Sequence, residues 1–382
     1  MLLAIALLFG ARPANPTTWL APWKANILRE TNTRYCDTET GEELGWLMSP
    51  FLEGFAYGYL ATKDTDWIDH LVDWTDAWLK RGVKEPDGRI GWPKKGTGGL
   101  FEDQLYTDSL LGEAMAFRPV VRLSAAILAD TKLRAKYGAK ARQYLQAAER
   151  DFNKWDSRGC WRDVKDGGLW VVPAFGINPA ANDWTDGYPG RIKSGFSNPD
   201  NKENLIATWM LELEDATHKR IYWDRAQAWF KLMKARMRPN GDKYLVWNYW
   251  DPAGPWDYKP DGSTRHWVGV HPNGGYYGID VGAIVLAFEH GMVFQKEEID
   301  KLIATNRDFM WNQKTEGTVF GRIDGGAPDP RWPKTPGVLW APLCPFDSTL
   351  KRVFEATFDP TSWGGLATTP WYVWRMSRSS TV

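Results

Sequence analysis

Arg265, His266, His271, Tyr276 and Tyr277 fall within thirteen residues, and that stretch also holds Gly274-Gly275. The glycine pair is loop. A helical apolar pattern follows at once through Ile279, Ala283, Ile284, Ala287 and Phe288. Titratable groups therefore gather at the N-terminal mouth of a buried helix, where free N–H groups and the dipole favour an anion. The chemistry these types suit is β-elimination beside a uronate carboxylate. An amide, guanidinium or imidazolium neutralises the carboxylate, a base takes the C5 proton and an acid protonates the leaving oxygen. Arg265 and His271 are placed to lower the pKa of a tyrosine, which starts near 10. Tyr276 is the preferred acid or acid–base, because Asp280 lies one turn below it and can orient it. The base is left open between His271 and a tyrosine.

Asn201-Lys202-Glu203-Asn204 opens another apolar helix. Asn201 reads as an N-cap, and Asn204, one turn in, reads as a pocket-facing amide. The catalytic expectation is thus Tyr276, Tyr277, His271, Arg265 and Asn204. Substrate contacts are expected from His266, Arg34, Tyr35, Trp184, Trp250 and Trp256, with aromatic faces on sugar rings and a guanidinium on carboxylate. No His-Glu-x-x-His, EF-hand loop, P-loop or Gly-x-Ser-x-Gly elbow is present, so neither a metal nor another cofactor is expected.

These residues need elements to hold them. The apolar pattern alternates along the chain between segments that are apolar nearly all round and segments that are amphipathic. Inner helices are expected over 44–61, 105–129, 203–216 and 276–291, and outer ones over 66–81, 132–154, 219–237 and 295–311. Residues 338–356 and 366–377 read as a closing pair, and 15–43 as extended and polar. Long non-helical segments at 82–104, 157–200 and 238–275 are of the kind that carries function. The pattern predicts an all-α fold, an α/α toroid of roughly five to seven helical hairpins with minor β structure. A globin-like or solenoid packing is the alternative.

The 382 residues carry zero formal net charge, which argues against a diffuse electrostatic grip on nucleic acid or an anionic membrane. Any anion must be held locally. Residues 1–14 contain an apolar run, Leu2 to Phe9, that reads as a signal-like leader too short to span a bilayer, so export to the periplasm or beyond is expected. Residues 15–382 then form one domain. The 24 tryptophans are conspicuous, and those in loop-like segments serve either as sugar platforms or as pins for the loops. Cys36, Cys160 and Cys344 are read as buried thiols with at most one disulfide between them.

Three stretches carry a resemblance: Asn32-Thr33-Arg34-Tyr35-Cys36-Asp37, the run from Val246 to Tyr258, and Gly274-Gly275-Tyr276-Tyr277 with its helix. The chain resembles the α/α-toroid polysaccharide lyases, most of all polysaccharide lyase family thirty-eight, whose members act on glucuronan or alginate. The resemblance implies cleavage of an anionic polysaccharide by elimination, without a cofactor, through a tyrosine and a histidine or arginine. One departure is that many toroid lyases carry Asn-His at the first helix mouth, whereas Leu205 follows Asn204 here. The competing readings are a glycoside hydrolase on the same toroid with carboxyls from Asp108, Asp186 and Asp251, a sugar epimerase, and a non-catalytic glycan-binding protein.

Overall fold

The computed structural model describes residues 15–95, 106–172, 177–178, 183–184, 196–314, 317–327 and 340–379. The signal-like leader and Asp186 lie outside the described residues.

Among the described residues twelve α-helices dominate: α1 (Leu20–Glu30), α2 (Tyr35–Thr38), α3 (Ser49–Thr62), α4 (Asp66–Lys80), α5 (Leu110–Ala129), α6 (Thr131–Ser157), α7 (Asp200–Thr217), α8 (Arg220–Arg236), α9 (Gly275–Glu289), α10 (Lys296–Ala304), α11 (Ser348–Thr357) and α12 (Gly365–Ser379). Their starts are chemically marked. Ser109 caps α5 through the Gly112 N–H, Asp130 caps α6 through two N–H groups, and Gln295 and Glu298 form a capping box on α10. α3 packs on α12 and α5, α5 on α7, and α7 on α9. Arg375 of α12 reaches Glu289 of α9 at 2.9 Å and closes the ring.

The direction of the ring helices follows from their side-chain pairs. Glu53 and then Tyr57 on α3 meet Arg118 and then Arg122 on α5. Those arginines meet Thr208 and then Glu212 on α7. The numbers rise together on every helix, so these helices run parallel and their N-termini open on one face. The outer helices α4, α6, α8 and α10 return the chain between them. This is the expected α/α toroid.

Close approach depends on small residues. A Cβ on Gly54 would stand 2.7 Å from the Leu366 carbonyl oxygen of α12, and one on Gly58 would stand 2.8 Å from Trp23. Minor β structure lies on the mouth face. Trp161–Val164, Gly167–Val172 and Phe196–Ser197 form a three-stranded sheet, and Arg238–Asn240 pairs antiparallel with Tyr244–Val246.

Three expectations need correction. Residues 20–30 are helical rather than extended. Trp19, Trp23 and Ile27 recur every four residues, all three are buried, and the Trp23 indole donates to the Leu366 carbonyl at 2.9 Å. The polar faces between them masked that stripe. The tryptophan excess is largely core: fourteen of the 24 are buried. All three cysteines are free thiols in the interior, so no disulfide forms. No helix among the described residues is long and apolar enough to cross a membrane.

Candidate active site

The ring's N-terminal face opens as a mouth with two facing sides. On one side the loop between Trp247 and Gly274 is anchored by a buried carboxylate. Asp257 accepts hydrogen bonds from the Ser197 N–H at 2.8 Å, the Ser197 hydroxyl at 2.9 Å and the Ala253 N–H at 2.7 Å. Tyr249 is tied at both backbone groups: its N–H donates to Gly269 and its carbonyl accepts from Asp200 at the start of α7. The loop therefore presents a fixed aromatic cluster. The Tyr249 ring centre lies 4.8 Å from His271, 5.2 Å from Tyr276 and 5.7 Å from His266, and His271 lies 4.7 Å from Tyr276.

Backbone contacts set the imidazole. The Asn273 N–H donates to His271 Nδ1 at 2.9 Å, so in the neutral ring the proton sits on Nε2. Asn273 Oδ1 accepts from the Gly275 N–H and caps α9.

On the opposite side Glu42 precedes the π-helical turn Leu44–Met48 that leads into α3. Its carboxylate accepts from the Trp46 indole at 2.8 Å and from Lys202 Nζ at 2.7 Å, Lys202 coming from the first turn of α7. The two sides feel each other. Burial pushes the Tyr249 hydroxyl above the usual phenol range, and the charges of Tyr276 and Glu42 raise it further. The mouth thus sets a half-buried carboxylate and an ammonium against an imidazole flanked by two phenols.

Under this mouth lies a buried carboxyl layer. Asp280 accepts from Asn204 at 2.7 Å and from the Trp247 indole at 2.9 Å, yet burial and the neighbouring Asp200 push its pKa up to about 8. Glu203 accepts from the Trp170 N–H and from Asn198, and burial lifts it to about 8. Asp200 is paired with Arg236, and burial lifts it to about 7.

The expected site residues divide between these levels. His271, Tyr276 and His266 come together at the mouth. Asn204 does not: it is fully buried, and its amide is spent on Asp280 and the Trp229 indole. Tyr277 is 1 % exposed, and its hydroxyl accepts the His271 N–H at 2.8 Å. It supports the loop from below. Arg265 is exposed and turned to the Tyr258 carbonyl. Trp250 is buried with its indole on the Ser197 carbonyl, and Trp256 packs under the Arg162 guanidinium, so both serve as pins. Arg34 is held by Asp37 and Asp73 beside Trp74, and Tyr35 packs against Phe51 and Trp363. As sugar contacts these residues would need to line one cleft with the Trp250–Trp256 loop, and among the described residues Arg34 and Tyr35 instead contact Asp37, Asp73, Trp74, Phe51 and Trp363. Trp184 lies on a strand paired with Ile177.

The sequence reading missed Glu42, Trp46, Lys202 and Tyr249. Gly41-Glu42-Glu43 stands before an apolar helix, the same helix-mouth signal that singled out the Arg265–Tyr277 stretch. Of the carboxyls named for a hydrolase, Asp108 is locked to Lys154 and the Trp92 N–H, and Asp251 accepts from Asn248.

No protein-family model matches the chain, and no curated protein matches it. Solved structures do. A D-mannose isomerase aligns with a TM-score of 0.56 at 15 % identity, over 96 % of this chain and 100 % of its own. A family 76 glycoside hydrolase from a bovine Bacteroides thetaiotaomicron strain aligns with a TM-score of 0.50 at 12 % identity, over 96 % of this chain and 77 % of its own. A family 76 α-1,6-mannanase from Salegentibacter aligns with a TM-score of 0.48 at 13 % identity, over 95 % and 99 %. These neighbours are a sugar isomerase and glycoside hydrolases, and they overturn the assignment to polysaccharide lyase family thirty-eight and, with it, lyase activity on a uronan. In the geometry, Asn204 and Arg265 turn to other partners, and Tyr277 meets His271 only at its backbone N–H. At these identities the likeness shows the fold, and the fold that the chain shares with them is the α/α toroid.

Proposed function

We propose that the chain is a carbohydrate-active enzyme that hydrolyses glycosidic bonds at the mouth of its toroid. The observation that carries this is that one turn of α7 joins the two groups: Lys202 holds the Glu42 carboxylate at 2.7 Å, and Asp200, two residues earlier, donates its N–H to the carbonyl of Tyr249 in the Tyr249–His271–Tyr276 cluster. In this reading Glu42 takes a proton from the attacking water, held for that task by Trp46 and Lys202. The Nε2–H of His271 donates a hydrogen bond to the departing glycosidic oxygen as the bond to the anomeric carbon breaks, and the proton that Glu42 took from water ends on that oxygen. Tyr249 and Tyr276 enclose the imidazole and orient it. Exposed aromatics support a chain-like substrate: Trp267 and Trp363 are 50 % and 44 % exposed, in segments that lead into α9 and α12. The expected partner is a glycan. The fold neighbours make mannose-containing glycans the first to try.

The test is the initial rate of new reducing ends from a panel of neutral glycans, for the parent and for Glu42→Gln and His271→Ala. Each variant should lose about a hundredfold or more while circular dichroism stays native. Parent-like rates in both would remove Glu42 and His271 from the chemistry.

A second reading, a sugar isomerase, is favoured by one feature. An imidazole and phenols facing a single carboxylate suit proton transfer between neighbouring carbons, whereas most hydrolases use two carboxyls. Ketose formation from free hexoses, without release of reducing ends from glycans, would select it.

A further inference from the structure

The axis of the ring is polar at a depth where a packed core would be apolar. Arg118 lies eight residues into α5, about 12 Å below the mouth at 1.5 Å per residue. Its neighbours Phe117, Val120 and Val121 are fully buried, yet its side chain keeps 24 % of its exposure. Flanked by α3 and α7, it meets water only along the axis. The guanidinium donates twice to Glu53 and once, at 3.1 Å, to the Thr208 hydroxyl. That uses three of its five N–H donors. One turn further down, Arg122 is paired with Glu212 and lies over both Tyr57, at 5.2 Å, and Trp374, at 5.5 Å, two rings that touch each other. Two arginines thus face two glutamates, and the lining has no net charge. On α9, Ile279, Gly282 and Leu286 form one stripe at i, i+3 and i+7 that is half-buried and carries no polar side-chain atom, with Gly282 beside Pro342.

We propose that this shaft is a binding site for the end of an uncharged saccharide, with Arg118 as the residue that fixes its terminal unit. The proposal rests on the hydrolase reading of the mouth and adds to it an exo mode of action on neutral chains. The chemistry of the lining is the argument. Arg–Glu pairs offer donors and acceptors side by side, as hydroxyl groups require, and a balanced charge gives no preference for carboxylate or phosphate. The aliphatic wall and Trp374 suit the C–H faces of a sugar ring. Two unspent N–H donors on Arg118 point to a ligand with acceptor oxygens. Glu53 and Thr208 position that guanidinium.

The experiment pairs Arg118→Met with Glu53→Gln, because removing only one partner would leave a buried charge uncompensated. Calorimetric binding of neutral manno- and gluco-oligosaccharides, from mono- to pentasaccharides, is measured on Glu42→Gln protein with and without the double substitution. Hydrolysis is measured separately on the otherwise unaltered chain. Affinity should rise with chain length in the parent. The double variant should lose about tenfold for the longer sugars, and KM should rise by the same factor with kcat little changed. Arg118→Lys should recover part of the loss. Arg-dependent binding without hydrolysis would support the shaft while removing the hydrolase reading. Hydrolysis with a KM indifferent to the double substitution, or tighter binding of uronates than of neutral sugars, would overturn the shaft alone. Binding of no neutral saccharide would also overturn it.

Discussion

The toroid buries two sets of charges, and they are built differently. In the wall, Lys154 reaches Asp108 at 2.9 Å, Glu113 at 2.7 Å and Asp151 at 3.2 Å, while Arg158 reaches Glu85 at 2.6 Å, Asp87 at 2.8 Å and Asp108 at 3.3 Å. Five carboxyls face two cations, so the set retains protons: burial and the Asp108 charge push Glu85 up to about 9. This set also holds backbone. Asp108 accepts the Trp92 N–H and Lys154 donates to the Ile90 carbonyl. It clamps the 83–95 segment to α5 and α6, and both its cations are 1 % exposed. The axial set joins side chains only, balances its charges and stays wet. Burial alone therefore does not separate scaffold from site. What separates them is whether the bonds go to backbone and whether water reaches the charge.

Lys154→Met strikes the wall hardest. It leaves Asp108, Glu113 and Asp151 without their shared cation and should cost about 3–5 kcal/mol in urea unfolding. A loss below about 1 kcal/mol would mean that the wall set is not scaffold.

Adjacent tyrosines sharpen the same contrast at the mouth. Tyr276→Leu should change stability by less than about 1 kcal/mol and lower the turnover rate by about tenfold, since it removes the ring that lies on His271. Tyr277→Phe should do the reverse, costing about 1–2 kcal/mol by leaving the His271 N–H without its acceptor, with a smaller effect on rate. Equal effects from the two would erase the distinction between mouth and support.

Acid–base behaviour gives a gentler test. Asp280 has a folded pKa of about 8, above the unfolded value of about 3.9. Its stabilising contribution is whole below the unfolded value and is lost as pH rises to about 8. Thermal unfolding should therefore show a midpoint that falls between pH 5 and pH 8. Asp280→Asn should flatten that fall by an amount of order 1 kcal/mol, and an unchanged slope would assign the pH dependence elsewhere.

The smallest effect belongs to the far end of the ring. His290 donates to Asp215 at 3.1 Å, and that contact, opposed by burial, raises its pKa to about 9. The pair's contribution is whole below the unfolded value of about 6.5 and fades as pH rises through about 9. His290→Gln should cost less than about 1 kcal/mol at pH 7, because Asp215 is largely solvated.

The helices were legible because their signals are local. Apolar periodicity marked α3, α5, α7 and α9 as inner, and Ser109, Asp130 and Asp347 cap their helices by contacts within three residues. α1 was missed although Trp19, Trp23 and Ile27 carry the period. Polar residues fill its outer faces, and only the fold shows that the stripe packs against α3, α4 and α12. The site was half legible. The Arg265–Tyr277 stretch held His271 and Tyr276, but the same density drew in Arg265, which faces solvent.

By itself the sequence determined the repeating inner and outer helices, the absence of a net charge to grip nucleic acid, and the loop where imidazole and phenol gather. Each of these follows from residues close together in the chain. Only the tertiary structure decided that Glu42 faces Tyr249, that Asn204 turns to Asp280 instead of the mouth, and that Arg118 is wet at the axis. The physical reason is separation along the chain. Glu42 and Tyr249 are joined only through the first turn of α7, and Arg118 keeps its exposure between α3, α5 and α7, three helices distant in the sequence. No local pattern records which side of an inner helix faces its neighbours and which faces the axis, since both faces are buried from the outside.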